Sequence, residues 1–261
     1  MLYFLPTTFG VDVPSAIMRE VAKQIDGKPV ILWGDEATPE NARKLVLETN
    51  SPYVFTTGHG LPCVTTLQNK EPFISLAEPQ MSAYCSQELN LDIVKGRVWH
   101  VHSCWCGRQL AQVMVQKGAW AVFAHDNEFL FLMPKTGKID IVTAAPFMAE
   151  FTTDAAMLSG MTAGEAQSAR MNAYERWLNY FTTGEGSKLD VAALNARIIL
   201  ADKMISKLYG DETATVTKPG PRKAFKLSLP MQRPVQTTSA GLILLPLGLL
   251  LIGGWESGKK S

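Results

Sequence analysis

"RVWHVHSCWCGRQLAQ", residues 97–112, decides how the chain is read. Its first half, "RVWHVHSC" (97–104), is a short apolar run that reads as a β-strand. "GRQLAQVMVQKG" (107–118) follows at once and reads as a helix, with Leu110, Val113 and Met114 on its inward face and Gly118 as its C-terminal stop. A buried strand feeding directly into an amphipathic helix is the repeating unit of α/β architecture. The same stretch holds two of the chain's four cysteines and two of its four histidines, so it is also where chemistry is to be sought.

The neighbouring sequence repeats the alternation. "LYFL" (2–5) reads as a strand, and residues 14–25 as a helix with Ile17, Val21 and Ile25 on one face. "PVILWG" (29–34) is a second strand, and residues 38–49 form a helix capped by Thr38 with Pro39 in its first turn. "YVFTTGHG" (53–60) is a third strand that ends in a Gly-rich turn. Residues 63–76 are expected to form a hairpin and 81–94 a loop or short helix, and "AWAVFAH" (119–125) is another strand. Residues 144–209 read as helices; the last, 190–208, starts at Asp190 and carries Leu194, Ile198, Ala201, Ile205 and Leu208 on one stripe. The expected fold is α/β: a three-layer α/β/α sandwich around a mostly parallel sheet.

Hydrophobic residues make up 46% and charged residues 19% of the 261, a globular composition that leans apolar. A net charge of +1, without a basic stripe on the main domain, argues against a nucleic-acid partner. "MLYFLP" has neither a basic start nor a long apolar core, so no secretory signal is expected. Four cysteines in so long a chain are not a disulfide framework; free thiols and a reducing compartment are expected, with Cys63 and Cys85 as small apolar residues.

The C-terminus has a different character. "AGLILLPLGLLLIGGW" (240–255) carries no charge, and residues 239–255 read as a transmembrane helix, with a buried core helix as the alternative. Trp255 would lie at the interface, with a short tail at 256–261. Residues 216–238 form a Pro-rich basic linker, in which Lys218, Arg222, Lys223, Lys226 and Arg233 outnumber Lys259 and Lys260. By the positive-inside rule that keeps the main domain, 1–215, in the cytoplasm.

In open parallel sheets, functional crevices lie at the carboxyl ends of the strands. Two such ends carry reactive side chains. His59 stands between Gly58 and Gly60 at the end of one strand, and Cys104 ends another just before a helix, whose N-terminal field favours a thiolate. A cysteine nucleophile needs a base and donors for the oxyanion. His59 can be the base, and the N–H groups of Gly60 and Cys104 the donors, if the two strands lie close together. Cys106 competes as nucleophile but falls inside the turn.

With these residues in view, the chain resembles the caspase-like cysteine peptidases: caspases, legumain, gingipain, clostripain, separase and the CHAT domains. Their pattern is an apolar strand ending in His-Gly, then an apolar strand ending in a small residue and Cys, then Gly and a helix. "YVFTTGHG" and "VWHVHSCWCG" match it, and "LSGMTAGEAQSAR" (158–170) and "KLYGDET" (207–213) resemble the closing helices and turn of gingipain-type and CHAT members. The resemblance covers roughly 1–215. It implies a thiol endopeptidase acting on protein or peptide substrates without a metal or other cofactor, with His59 as base, Cys104 as nucleophile, and Gly60 and Cys104 as oxyanion donors.

One position departs from the pattern. Members that cut after Arg or Lys carry Asp two residues before the cysteine; here that place holds His102, which supplies no fixed negative charge. Asp126 or Glu128 could substitute, and Trp105 could form a pocket wall.

Two other readings remain. One is a catalytically silent caspase-like module that binds a partner at the membrane. The other is a metal-dependent hydrolase using His100, His102, Cys104 and Cys106, which are zinc ligands in type. A straight strand spreads four alternate residues over about 20 Å, so only two or three could share an ion, with Cys63 or His125 completing the set.

Overall fold

The computed structural model describes residues 1–134 and 139–216. In chain order these form β1 (Leu2–Leu5), α1 (Asp12–Ile25), β2 (Val30–Trp33), α2 (Pro39–Thr49), β3 (Tyr53–Thr57), β4 (Gly60–Leu61), β5 (Val64–Thr66), β6 (Pro72–Ser75), β7 (Val98–His102), α3 (Leu110–Gln116), β8 (Ala121–His125), α4 (Ile141–Glu150), α5 (Thr152–Leu158), α6 (Ala163–Thr182), α7 (Ala192–Ile205) and β9 (Ser206–Gly210). Six strands make one sheet in the order β2-β1-β3-β7-β8-β9. All its neighbours are parallel except β8 and β9, which run antiparallel. The α/β class and the mostly parallel sheet are as the alternation of elements required.

Side-chain alternation divides the core into two layers, because successive residues of a strand point to opposite faces. Tyr3, Leu5, Tyr53, Phe55, Val98 and Phe123 pack on one face with α1, α4, α5 and α6. Phe4, Val54, Trp99, Val101, Val122 and Ala124 pack on the other with α2, α3 and the β4–β6 hairpin. Helix α7 closes a third cluster against α4 and α6.

Local signals account for several boundaries. The Thr38 hydroxyl accepts from the Asn41 N–H, as an N-cap should, and Gly118 at φ +98° follows α3. Thr162 and Glu165 form a reciprocal capping box at the start of α6.

Three expectations are corrected. Helix α3 starts at Leu110 rather than 107, because the Gly107 N–H bonds the His125 carbonyl and its α-carbon lies against Asp126 and Tyr209. The last helix begins at Ala192, with Val191 and not Asp190 as its cap, and ends at Ile205; Leu208 belongs to β9, which pairs with β8. Cys63 and Cys85 are joined by a disulfide, so two of the four expected thiols are not free, and a reducing compartment does not follow from the cysteines.

Among the described residues no helix is long and apolar enough to cross a membrane. The linker expected at 216–238, apart from Val216, and the helix expected at 239–255 lie outside the described residues.

Candidate active site

Strands β3 and β7 are direct neighbours, with Thr57 opposite His102, so the chain leaves both at the same rim of the sheet. The two exit loops are tied together: the Gly58 N–H donates to the His102 carbonyl at 3.3 Å. Both glycines that flank His59 are required by close approach. A Cβ on Gly58 would collide with the Thr66 carbonyl. One on Gly60 would collide with the Cys104 carbonyl and lie 2.8 Å from Cys106 Sγ and 2.9 Å from Ser103 Cβ. The His59–Gly60 and Ser103–Cys104 backbones therefore meet at one rim, but the solvent-open crevice expected between them is not there: both side chains are fully buried.

Neither candidate side chain is open to solvent in this form. His59 is fully buried, and its Nε2 lies 3.2 Å from the Phe9 carbonyl in the loop after β1. Cys104 is equally buried in the layer of α1 and α4, and its sulfur accepts the Phe129 N–H at 3.3 Å. Burial pushes the Cys104 thiol far above its ordinary range, against the small opposing pull of that N–H, and the nearby Glu128 charge adds to the rise. The thiol is neutral here. Cys106 is buried on the opposite layer, where its sulfur donates to the Val64 carbonyl at 3.3 Å, and burial raises it as well. The two sulfurs thus face different layers.

The other expected residues are distributed around Cys104. Trp105 is half-buried at φ +57°, a left-handed conformation costly for so large a side chain. Its N–H and indole Nε1 both donate to Asn127, at 3.2 and 2.8 Å. Asp126 is half-buried, its carboxylate accepts the Tyr209 hydroxyl, and its carbonyl accepts from Arg108. Glu128 is half-buried, and desolvation raises its carboxyl. His102 is fully buried; burial and the neighbouring His125 hold it well below the ordinary imidazole range, so it is neutral. Its Nδ1 pairs with the Thr57 hydroxyl at 3.3 Å, and its Nε2 has no hydrogen-bond partner. Its ring lies 4.6 Å from Phe129 and 5.3 Å from Phe151, centre to centre.

Beneath this site lies a buried ionic network that no sequence pattern announced. His100 Nδ1 is 3.0 Å from Asp154 Oδ2, and its Nε2 is 3.0 Å from Glu150 Oε1. Burial alone would lower this imidazole, but the two carboxylates outweigh it and raise His100 to about 9. Glu150 also receives Arg170 at 2.6 Å, Tyr174 at 2.6 Å and Ser206 at 3.0 Å. Burial works to raise Glu150, yet Arg170 and the two histidines hold it well below the usual carboxylate range. His125 Nε2 lies 3.1 Å from the same carboxylate. Asp154 accepts the Tyr53 hydroxyl at 2.7 Å. The available signal was a single carboxylate in each of two apolar helical runs, "TAAPFMAEF" and "TTDAAML".

The His/Cys cluster at 100–106 does not converge. Both nitrogens of His100 are taken by carboxylates, and Cys106 faces the other layer. Among the described residues no group of three or more His, Cys, Asp or Glu side chains is placed to hold a metal, which removes the geometric basis of the metal-hydrolase reading.

The chemistry open to the site is therefore that of a thiol and an imidazole on adjoining loops, the thiol buried against Phe129 and the imidazole against the Phe9 carbonyl. No protein-family model and no curated protein matches the chain, so any assignment of activity rests on these residues themselves.

Proposed function

We propose that the chain is a caspase-like cysteine endopeptidase, described here in a closed form. The observation that carries this reading is the meeting of the His59–Gly60 and Ser103–Cys104 loops at one rim of two neighbouring parallel strands. The order of motifs, His-Gly on the first strand and Ser-Cys-x-x-Gly on the second, agrees with the resemblance.

In the open form the Cys104 thiol gives its proton to His59, and the thiolate attacks a peptide carbonyl. The N–H groups of Gly60 and Cys104 hold the oxyanion. The carbon–nitrogen bond breaks as His59 protonates the leaving amine, which leaves a thioester on Cys104. Water, deprotonated by His59, then releases the acid and restores the thiol. No metal or other cofactor takes part. The apolar segment at 239–255 is proposed as the membrane anchor. The disulfide favours surroundings that are not strongly reducing, against the cytoplasmic placement drawn from the linker's charge.

A peptidyl electrophile that mimics an acyl group tests the proposal. Cys104→Ala is expected to abolish labelling and reduce turnover by about 10⁴-fold, whereas Cys106→Ala keeps both. Equal labelling of the two variants would sink the assignment.

The full burial of His59 and Cys104 favours a second reading, a silent module of the same fold that binds a protein partner. Failure of the whole chain to cleave a diverse peptide library or take up the electrophile, under mild destabilisation that opens the segment after β8, would select it.

A further inference from the structure

We propose that Phe129 is a built-in plug whose ring occupies the pocket for a substrate side chain beside Cys104, and that the matching substrate is a peptide bearing an aromatic residue at the attacked carbonyl. This rests on the peptidase reading of Cys104.

The backbone at residue 129 meets the sulfur directly, with its N–H on Cys104 Sγ at 3.3 Å. The Phe129 ring is enclosed by other rings: His102 at 4.6 Å, His125 at 5.0 Å and Phe147 at 5.3 Å between centres. Cys104 lies in the same core layer as Phe129 and Phe147, and its sulfur meets the Phe129 N–H, so this cage adjoins the thiol. Its walls are flat and aromatic, and the His102 imidazole is neutral. A ring of phenylalanine shape is already accommodated among these rings. The unpartnered Nε2 of His102 is a polar atom the plug leaves unsatisfied.

The strap that carries the plug is fastened at both ends. Asn127 receives both Trp105 donors, and the Leu130 N–H donates to Asp202 at 2.9 Å. Between these points Asn127 is exposed, Glu128 and Leu130 are half-buried, and only Phe129 is fully buried, so one ring supplies most of the apolar hold. Withdrawal of that ring uncovers the thiol and vacates the cage in one movement.

Alkylation of the full chain by iodoacetamide, with the label located by mass, reads the plug without calling on peptidase activity. Loss of a buried phenyl ring shifts a closed–open equilibrium by about tenfold or more, so Cys104 in Phe129→Ala is expected to label at least about tenfold faster than in the wild type. Phe129→Leu, which still fills the cage, is expected to label close to the wild-type rate. Phe131→Ala serves as the control: its ring packs on Phe147 in the same core layer, centres 5.0 Å apart, and it is expected to change little. Toluene is expected to slow labelling of Phe129→Ala and to leave the wild type unaffected, an effect that general loosening does not produce. Equal acceleration by Phe129→Ala and Phe131→Ala, or no acceleration by either, would overturn the plug. A peptide library presented to Phe129→Ala is expected to be cut after Phe, Tyr or Trp. Cutting after basic or acidic residues overturns the aromatic assignment. Rapid labelling with no cutting at all overturns the peptidase reading and leaves the plug standing.

Discussion

Glu150 has no exposed surface, yet its two oxygens collect Arg170, Tyr174, Ser206 and the His100 ring. Such a carboxylate is tolerable only while its partners remain, because an unpaired buried charge costs several kcal/mol. Arg170→Met is therefore expected to lower unfolding stability by about 3–5 kcal/mol, read as a shift in the urea midpoint at unchanged slope. His100 sets a pH signature. Its folded value near 9 stands above the unfolded value of about 6.5, so its contribution is complete below about pH 6.5 and lost as pH rises towards 9. Chemical denaturation at pH 6 and pH 9.5 is expected to show a fall on the order of 2–3 kcal/mol in the wild type. His100→Gln, starting from a lower level, is expected to show much less of that fall. At this scale the sequence was half legible. His59 stood out because it follows an apolar strand between two glycines, and Cys104 because it follows another just before a helix. Glu150 and Asp154 did not, because their partner His100 lies some fifty residues away and no spacing rule joins a strand to a helix in another layer.

Gly60 shows the same thing at the scale of an element. Its value lies in the absence of a Cβ where two loops press together. Gly60→Ala is expected to cost about 1–3 kcal/mol through overpacking against the Cys104 carbonyl, measurable as a lowered melting temperature with helix content retained. The β4–β6 hairpin is held by its ladders and also by the Cys63–Cys85 bond, which spans 22 residues. Closing a loop of that length stabilises a fold by about 3 kcal/mol in chain-entropy terms, so reduction is expected to lower the urea midpoint accordingly. Helices and parallel strands were legible from their periodicity. Strand β9 was not: "SKLYG" is short and continues the helical pattern of α7, and only the free edge of β8 makes it a strand. The disulfide was illegible for a related reason, since a pair of cysteines 22 apart has no signature of its own.

In the whole molecule, two apolar layers share one sheet, and the two unpaired sulfurs are divided between them. On the plug proposal Cys104 is covered by the Phe129 strap, whereas Cys106 lies under the hairpin with both the Leu61 and Val64 carbonyls in reach. Exposure of Cys104 therefore needs only a local opening, and exposure of Cys106 needs a large part of a layer to come apart. Alkylation across low urea concentrations is expected to rise gently for Cys104 and steeply for Cys106, because the slope follows the surface exposed. Parallel slopes would mean that both sulfurs wait for global unfolding.

The sulfur link between Cys63 and Cys85 has one more consequence. A protease that nicks the backbone anywhere from 64 to 84 produces two fragments that cannot part, because the bond spans the cut. On a gel run without reductant the nicked protein would migrate near its intact mass; with reductant it would fall into two bands. Recovery of one pattern or the other from the native source would record whether the protein had resided in oxidising surroundings.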